Sequence, residues 1–530
     1  MSELKRRLAK KYQDAILLHS DLLPEIKKRL KNKKLTTKER INLEAAGLLL
    51  KKRAIRTLSG IAPVAVLTKP YPCPGHCAYC PNEKNVPASY LSNEPAVMRA
   101  IRCQYDPYKQ IVLRLKALEN NGHEPNKIEV IVIGGTWSYL PTKYKFWYIL
   151  NCFKAANDYA RLKLPEDPNE DSRLKLADNL IKKIKSPYRH NLKLFDLKKK
   201  LLIEQKKNET AKYKIIGLTL ETRPDYINAK ELLEMRQLGA TRVEIGVQAI
   251  DDQILKLNNR GSGIKAIAGA TKLLKDYGFK VTYHFMPALP GSTPKRDLEM
   301  FKELFSNQDY QPDQIKFYPT IVTKGSLLYK WYKQGKYQPY TDKELEDLIA
   351  DCKAIVPPYV RIIRLIRDIP GESIVAGNLV TNLRQVMQQR GVKCNCIRCR
   401  EIKDKPMDVK KAKLSIVKYP ASGGTEYFLS YNSPDQKDLY GFCRLRLTNN
   451  SPIAPAIIRE LHVYGQLVPV GHIKKVQHSG LGKKLMKEAE KIAKKSKAKE
   501  MAIISGIGVR GYYKKLGYKL KDTYMKKTLL

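Results

Sequence analysis

Six short runs rich in β-branched residues recur along the middle of the chain, each separated from the next by residues at helical spacing. The runs are PVAVL (63–67), IEVIVIGG (128–135), KIIGLTLET (214–222), RVEIGVQA (242–249), KVTYHFMPAL (280–289) and QIKFYPT (314–320). Strands that alternate with helices form parallel sheets. Because six units are too few to close an eight-stranded barrel, we predict an α/β fold with an open, partial parallel (β/α)6 barrel. Its functional site is expected at the carboxyl ends of the strands.

The rest of the chain differs in composition from this middle part. Residues 1–60 hold 17 Lys or Arg against 6 acidic residues, with apolar residues at helical spacing. Hairpin-like strands, TEYFLSY (425–431) and LYGFCRLRL (439–447), follow a cysteine-rich stretch. We therefore expect four parts: a basic helical region over 1–60, the barrel over 61–390, a cysteine-rich connector over 391–410 and an α+β domain over 411–530.

The charge of the chain indicates a polyanionic partner. Its 99 Lys and Arg against 52 Asp and Glu leave a net charge of +47, which favours binding to nucleic acid or to an anionic membrane surface. Residues 1–60 and the lysine-rich segment 182–200 are the candidate contact surfaces. No apolar run approaches the roughly 18 residues of a membrane span, and Met1 to Lys11 lack an apolar continuation, so we expect a cytoplasmic protein without membrane association.

A first cysteine cluster follows the first strand as C-x₃-C-x₂-C, at Cys73, Cys77 and Cys80. Three thiolates on one loop can hold three irons of a [4Fe–4S] cluster and leave the fourth iron open to a small molecule. The motif resembles that of the radical S-adenosylmethionine (SAM) enzymes, which implies SAM as that molecule and a 5′-deoxyadenosyl radical as its product. The alternative is a zinc site completed by Cys103.

Residues at the next strand ends are candidates for binding this cofactor. Gly134, Gly135 and Thr136 end the second strand, where glycines let the backbone approach the methionine amino group. Glu221 and Gln248 end later strands and are candidates for the ribose or the carboxylate. Tyr79 is expected to shield the cluster. Arg223, a further candidate, and Gln248 fit cofactor binding and a core or salt-bridge role equally well.

A second cluster, Cys394, Cys396 and Cys399, has the spacing C-x-C-x₂-C at the domain junction. Three thiolates so close together predict a metal, and zinc is the usual structural ion. The fourth ligand stays open among Cys352, Cys103, a His and water. The neighbouring Arg398 and Arg400 fit RNA contact and a solvated basic loop equally well.

The C-terminal part carries the pattern Q/R-x-x-G-x-G/A at residues 477–482, where Gly480, Leu481 and Gly482 open a helix. Exposed backbone N–H groups at a helix N-terminus favour a pyrophosphate. With the strand Glu460-Leu461-His462-Val463 before it and GYYKKLGY after it, the order resembles the acyl-coenzyme A N-acetyltransferase (GNAT) fold. That fold implies that the strand hydrogen-bonds the pantetheine and that Tyr512 or Tyr513 donates a proton near the thioester. At least one of these tyrosines should instead pack in the core.

Motifs spread from about residue 50 to the C-terminus resemble those of the catalytic subunit of the Elongator complex, in a single-chain prokaryotic-type form. They are SGIAPVAVLTKP, MRAIRCQYDPY, IVIGGTW, GLTLETRPDY, RVEIGVQ, NRGSGIK, IKFYPT, IRDIP, RELHVYG, QHSGLG and GYYKKLGYKL. The resemblance implies a radical SAM, acetyl-CoA-dependent transferase that places a carboxymethyl group on carbon 5 of the wobble uridine of tRNA. It also implies an acetyl-CoA contact at Lys127.

The same resemblance implies a reaction and its partners. The deoxyadenosyl radical takes hydrogen from the acetyl methyl of acetyl-CoA, the carbon radical adds to the uridine, and thioester hydrolysis, assisted by Tyr512 or Tyr513, releases coenzyme A. The partners are the tRNA anticodon loop and an electron donor, and a homo-oligomer or Elongator-type subunits stay open. The sequence departs from the eukaryotic members in its short x₃ cysteine loop, and Cys399 is not universal in the family.

Two other functions fit parts of the pattern. One is a protein lysine acetyltransferase with a regulatory iron–sulfur domain, which the charge of +47 disfavours because it would repel a cationic protein substrate. The other is a non-catalytic tRNA-binding module with a structural cluster. Cleavage of SAM under reducing conditions would distinguish the enzyme from this module.

Overall fold

The computed structural model describes residues 19–30, 32, 35–49, 57, 59–162, 181–184, 186–188, 191–403, 405, 408–465 and 480–529. Two helices, α1 (His19–Leu30) and α2 (Thr37–Leu49), pack through the buried Leu22, Leu23 and Ile26. Helical structure in this basic region is thus confirmed for the described part. Residues 1–18 lie outside the described residues, and RNA binding by residues 1–60 stays a prediction.

The first sheet is entirely parallel and has seven strands in the order β1-β2-β3-β4-β5-β6-β8. Its strands are β1 (Ala62–Leu67), β2 (Lys127–Ile133), β3 (Lys214–Thr222), β4 (Arg242–Gln248), β5 (Lys280–Phe285), β6 (Gln314–Phe317) and β8 (Arg361–Arg364). The six predicted strands are confirmed, and β8 was missed. It is a four-residue edge strand with arginine at both ends, so it lacks the apolar run that marks the other strands.

Helices connect these strands and cover the outside of the open barrel. They are α3 (Pro95–Arg102), α4 (Pro107–Asn120), α5 (Thr142–Asp158), α6 (Leu194–Asn208), α7 (Ala229–Leu238), α8 (Asp252–Leu257), α9 (Ile264–Asp276), α10 (Pro294–Ser306), α11 (Leu327–Lys333), α12 (Asp342–Ile355) and α13 (Leu383–Gln389). A small antiparallel pair, β7 (Val322–Thr323) and β9 (Ile374–Ala376), lies after β6. None of the helices in these ranges is both long and apolar enough to cross a bilayer.

A short helix, α14 (Ile397–Arg400), leads into a second seven-stranded sheet of order β10-β11-β12-β13-β14-β16-β15. The strands are β10 (Lys413–Ala421), β11 (Gly424–Asn432), β12 (Leu439–Leu447), β13 (Ala456–Val463), β14 (Glu500–Ile503), β15 (Lys519–Lys521) and β16 (Tyr524–Thr528), with helices α15 (Leu481–Lys495) and α16 (Arg510–Lys514). The predicted α+β domain is therefore present. Strands β13 and β14 run parallel and pair only from Ala456 to Ile458, where β14 ends, so the remainder of β13 has no partner on that side.

One hydrophobic core extends across both domains, a second core lies within the second domain, and a buried network of ion pairs crosses the boundary. Arg459 of β13 pairs with Asp313, which precedes β6, at 2.6 Å, and Arg446 of β12 pairs with Asp276 of α9 at 2.6 Å. At most 4% of any of these four side chains is exposed. Because each charge needs its partner across the boundary, the network fixes how the second sheet lies on the barrel.

Candidate active site

The cysteine loop lies at the carboxyl end of β1, where the sequence predicts it. The loop is held by backbone hydrogen bonds from Ala78 N–H to the Asn258 carbonyl (3.0 Å) and from Leu328 N–H to the Ala78 carbonyl (2.8 Å). At the end of β2, Gly134 has φ +127°, and a Cβ there would lie 2.3 Å from Thr68 Oγ1, so only glycine fits. Thr136 Oγ1 lies 3.9 Å from Cys73 Sγ, which brings the β2 end against the loop.

Two arginines approach the cysteine loop from later strands. Arg260 donates to Cys77 Sγ at 3.7 Å and to the Gly246 carbonyl at 2.6 Å. A hydrogen bond from Cys80, and then the charge of Arg260, lower the pKa of Cys77 to about 5. Arg223 pairs with Asp225 at 2.9 Å, so the ion pair is present, but its Nη1 is buried without a partner beside Gly75.

Unpartnered polar atoms around the loop test whether a cofactor fits there. Arg223 Nη1 and Gln248 Oε1 are buried and make no hydrogen bond within the described part of the chain, and the buried Tyr79 hydroxyl lies beside Cys77. Gln248 has φ +70°, and Glu221 accepts from Tyr90 at 3.1 Å. Buried polar atoms are rarely left unsatisfied. Three thiols surrounded by such atoms fit a thiolate-bound cluster with a polar ligand.

A cavity of about 1240 Å³ connects this loop to the C-terminal domain. It is lined at one end by Cys73, Cys77, Cys80, Gly135, Thr136, Glu221, Arg223 and Gln248, and at the other by Phe442, Glu460, His462 and Tyr464. Between them it passes through the interior of the open barrel. The cysteine loop and two residues of the predicted acetyl-CoA site, Glu460 and His462, therefore open into one space.

The barrel interior carries charged residues that the sequence interpretation missed. Glu244 accepts from His284 Nε2 at 2.9 Å, contacts Lys316 Nζ and lies 3.6 Å from Arg242. Burial opposes ionisation, but Lys316 and a hydrogen bond from His284 hold the pKa of Glu244 well below its usual value. The available signal was polar residues at every second position of buried strands, as in Arg242-x-Glu244-x-Gly246-x-Gln248.

At the far end of the cavity, the part of β13 that extends beyond β14 presents Glu460 and His462. Burial raises the pKa of Glu460, but the charges of Lys280 at 3.4 Å and Arg444 at 3.0 Å lower it to about 2. Burial lowers the pKa of His462 to about 4, and its Nε2 has no hydrogen-bond partner within the described ranges. Glu460 is thus an ion-pair anchor, whereas the neutral His462 imidazole is left to contact a ligand.

The two candidate tyrosines have different environments. Tyr513 is 6% exposed and packs in the core of the second domain. Tyr512 is only partly buried, and its hydroxyl lies where a Cβ on Gly482 would come within 2.7 Å. Gly480 caps α15 with φ +81°, and Leu481 is buried under that helix, while Gln477, His478 and Ser479 lie outside the described residues. The structure brings Tyr512, and not Tyr513, to the start of α15.

Lys127 begins β2, at the end of the sheet opposite the cysteine loop. It lies next to Lys214, its neighbour in the register of β2 and β3. Burial and the charge of Lys214 lower the pKa of Lys127. Gly508 of the second domain lies against Lys214, so Lys127 sits near the domain boundary. It does not line the cavity.

The second cysteine cluster is a compact trio. The ligand atoms of Cys394, Cys396 and Cys399 lie within 4.8 Å of one another, and neither Cys103 nor Cys352 joins them. Hydrogen bonds from the Cys394 and Cys399 thiols lower the pKa of Cys396. Arg400 is tied to the loop by bonds to the carbonyls of Asn395 (2.8 Å) and Pro358 (2.6 Å), so it supports the trio.

Comparisons with known proteins agree with this architecture. The Radical SAM superfamily model matches residues 71–304, and the Radical SAM C-terminal domain model matches 312–391. The chain is 41% identical over 495 residues to the tRNA uridine(34) acetyltransferase of Dehalococcoides mccartyi, covering 90% of this chain and 100% of that protein. It is 38% identical over 508 residues to Elongator complex protein 3 of Homo sapiens, covering 91% and 86%. The solved archaeal Elp3 of Methanocaldococcus infernus, with an N-terminal deletion, matches with a TM-score of 0.71 at 38% identity, over 88% of this chain and 99% of that one.

Proposed function

This chain belongs to the radical SAM family that includes tRNA uridine(34) acetyltransferase and Elongator complex protein 3, and from that premise we propose that it carboxymethylates carbon 5 of the wobble uridine in tRNA. Acetyl-CoA is the proposed carbon donor. The observation that carries the proposal is the cavity that the cysteine loop shares with the C-terminal part of β13. A two-site reaction of this kind needs such a passage, because the acetyl group must meet the radical without leaving the protein.

Cys73, Cys77 and Cys80 are the proposed ligands of a [4Fe–4S] cluster, which supplies reductive cleavage of SAM to a 5′-deoxyadenosyl radical when bound. The glycine turn at Gly134 and Gly135 admits a ligand close to the backbone. Arg223 Nη1 and Gln248 Oε1 are assigned to the polar groups of SAM. Tyr79 is assigned to cover the cysteine loop from the core side.

In the second domain we assign the acetyl-CoA site to the groove between β13 and β14, as in a GNAT-like fold. The limited pairing of these strands leaves the backbone of Leu461, His462 and Val463 free of β14 and available to the pantetheine. Gly480, Leu481 and Gly482 are assigned to the pyrophosphate, Lys127 to a coenzyme contact, and Tyr512 to protonation of the departing thiolate. The trio Cys394, Cys396 and Cys399 is assigned to a structural zinc ion.

These assignments divide the chain as its composition predicts. Residues 1–60 bind tRNA, 61–390 form the radical SAM domain, 391–410 the zinc connector and 411–530 the acetyl-CoA domain. The net charge of +47 favours tRNA as the substrate that reaches the cavity.

The test is incorporation of label into uridine. Reduced, cluster-reconstituted protein is incubated with SAM, tRNA and acetyl-CoA labelled in the acetyl group, and the RNA is digested to nucleosides. We expect labelled 5-carboxymethyluridine from the wild-type protein. Label in protein lysines with none in uridine would contradict the proposal.

Two cysteine variants provide the control. Cys77→Ala removes a ligand from the loop and should abolish deoxyadenosine formation while tRNA binding persists. Cys152→Ala removes a thiol buried in α5 and should leave both intact. Loss of tRNA binding in Cys77→Ala alone would instead indicate a purely structural cluster.

A further inference from the structure

Three arginines line the cavity where the cysteine connector meets the two domains. Arg361 begins β8, Arg384 lies on α13 and Arg398 lies on α14. Arg384 donates to the Ile362 carbonyl, and the Ile397 N–H beside Arg398 donates to the Val360 carbonyl, so α13 and α14 both lie against the strand that Arg361 begins. The wall at this point is therefore a cluster of like charges.

Few anions balance this cluster. Arg361 pairs with Glu401 at 2.8 Å and donates to the Tyr464 hydroxyl at 3.0 Å. Arg384 donates to the carbonyl of Ile362 at 3.0 Å and has no carboxylate partner within the described ranges. Arg398 makes neither a hydrogen bond nor an ion pair with any residue that the structure describes. Because neither Arg384 nor Arg398 has a carboxylate partner among the described residues, both guanidinium groups are available to an anion in the cavity.

We propose that Arg361, Arg384 and Arg398 form a phosphate-binding site that holds a backbone phosphodiester of the RNA beside the base being modified. Arginine binds phosphate in a bidentate geometry, and phosphate contacts position a nucleic acid without reading its sequence. A base that enters a cavity must leave its stack, so the adjacent backbone needs a fixed anchor. This inference rests on the proposed function in taking RNA as the substrate.

Coenzyme A is the other source of phosphate, and the geometry disfavours it. Its pyrophosphate is assigned to the start of α15, and Gly480, Leu481 and Gly482 do not line this cavity. The arginine cluster therefore lies apart from the start of α15, although Arg361 donates to the hydroxyl of Tyr464, which follows β13.

The test is the salt dependence of tRNA binding, measured by fluorescence anisotropy with the full chain and without SAM or acetyl-CoA. For Arg398→Gln we expect the slope of log K against log salt to fall by about 0.7, which corresponds to about fivefold weaker binding at about 0.1 M salt. Arg384→Gln, outside the cysteine loop, should do the same. The matched control is Arg390→Gln, which removes one positive charge paired with Glu346 and Asp347 outside the cavity and should keep the wild-type slope.

Three outcomes would overturn the inference. The first is an unchanged slope in both Arg398→Gln and Arg384→Gln. The second is weaker coenzyme A binding by calorimetry with unchanged RNA binding, which would assign the phosphate to the coenzyme. The third is loss of bound zinc from Arg398→Gln while Arg384→Gln keeps the wild-type slope, which would make Arg398 a support of the metal loop.

The failure of this inference is distinguishable from failure of the proposed function. If the wild-type protein modifies uridine but the variants keep its slope, only the phosphate site is wrong. If the slope falls as expected but no uridine is modified, the RNA contact stands and the reaction does not.

Discussion

Adjacent residues of the same type can have unrelated roles, as Tyr512 and Tyr513 do. The Tyr513 side chain belongs to the hydrophobic core of the second domain, and burial raises its pKa. Tyr512 reaches Gly482 at the start of α15. Only one face of the short helix α16 can point to the core, so Tyr513 packs there while Tyr512 points toward α15.

We expect Tyr512→Phe to reduce coenzyme A release in the presence of tRNA by about a hundredfold, because the phenol proton would be lost from the thioester site. The measurement is the rate of free thiol formation in the complete reaction. Tyr513→Phe retains the ring in the core and should keep most of the rate. Equal losses in the two variants would contradict the assignment of Tyr512.

Secondary-structure elements of the two domains pack so closely at their boundary that some positions have no room for a side chain. The turn before the short helical segment Ile507–Val509 lies directly on β3. A Cβ on Gly506 would come within 1.9 Å of the Ile216 carbonyl oxygen, whereas a Cβ on Gly511 in α16 would meet nothing within 4 Å. Two glycines five positions apart therefore have opposite constraints.

Gly506→Ala should lower the free energy of unfolding by about 3 kcal/mol, because backbone on both sides of the boundary must move. Gly511→Ala should be neutral or raise it by up to about 1 kcal/mol, since alanine favours helix. Urea unfolding of the two variants provides the measurement. A Gly506→Ala protein as stable as Gly511→Ala would mean that the two domains are not in this close contact.

In the molecule as a whole, buried ion pairs join the two domains. Asp313 of the barrel accepts from Arg459 and lies 3.5 Å from Arg444, both in the second domain, and 3.9 Å from Lys275. Burial raises the pKa of Asp313, but the charges of Arg459 and Lys275 hold it below its usual value of 3.8. One carboxylate thus compensates several buried cations.

Asp313→Asn should reduce the free energy of unfolding at pH 7 by about 3–5 kcal/mol, because it leaves those cations unpaired. The carboxylate contributes this stability above its unfolded pKa of 3.8 and loses it as the pH falls, so the difference from wild type should shrink below pH 3.8. Asp347→Asn, at an exposed ion pair, is the control and should cost less than about 1 kcal/mol. Equal stability of the two variants at pH 7 would contradict the role of Asp313.

The local pattern of the sequence was sufficient for the six apolar strands, the cysteine loop and its place at a strand end. Apolar runs report burial directly, and ligand spacing within one loop does not depend on distant residues. The edge strand β8 was not predicted, because its four residues, with arginine at both ends, have no apolar run. Its pairing with β6 is a property of the assembled sheet.

Other features were decided only by the tertiary structure. Three features join residues that are far apart in sequence. They are the shared cavity, the charged residues of the barrel interior around Glu244, and the arginine cluster that includes Arg398. The packing of α16 decides which of Tyr512 and Tyr513 points away from the core. The residues on either side of them in the sequence do not predict it. The sequence by itself determined the fold class and the chemistry of the cysteine loop, because short-range patterns carry them. Only the folded chain placed the cysteine loop and the C-terminal part of β13 on one cavity, because the distances and charges that connect them arise from long-range contacts.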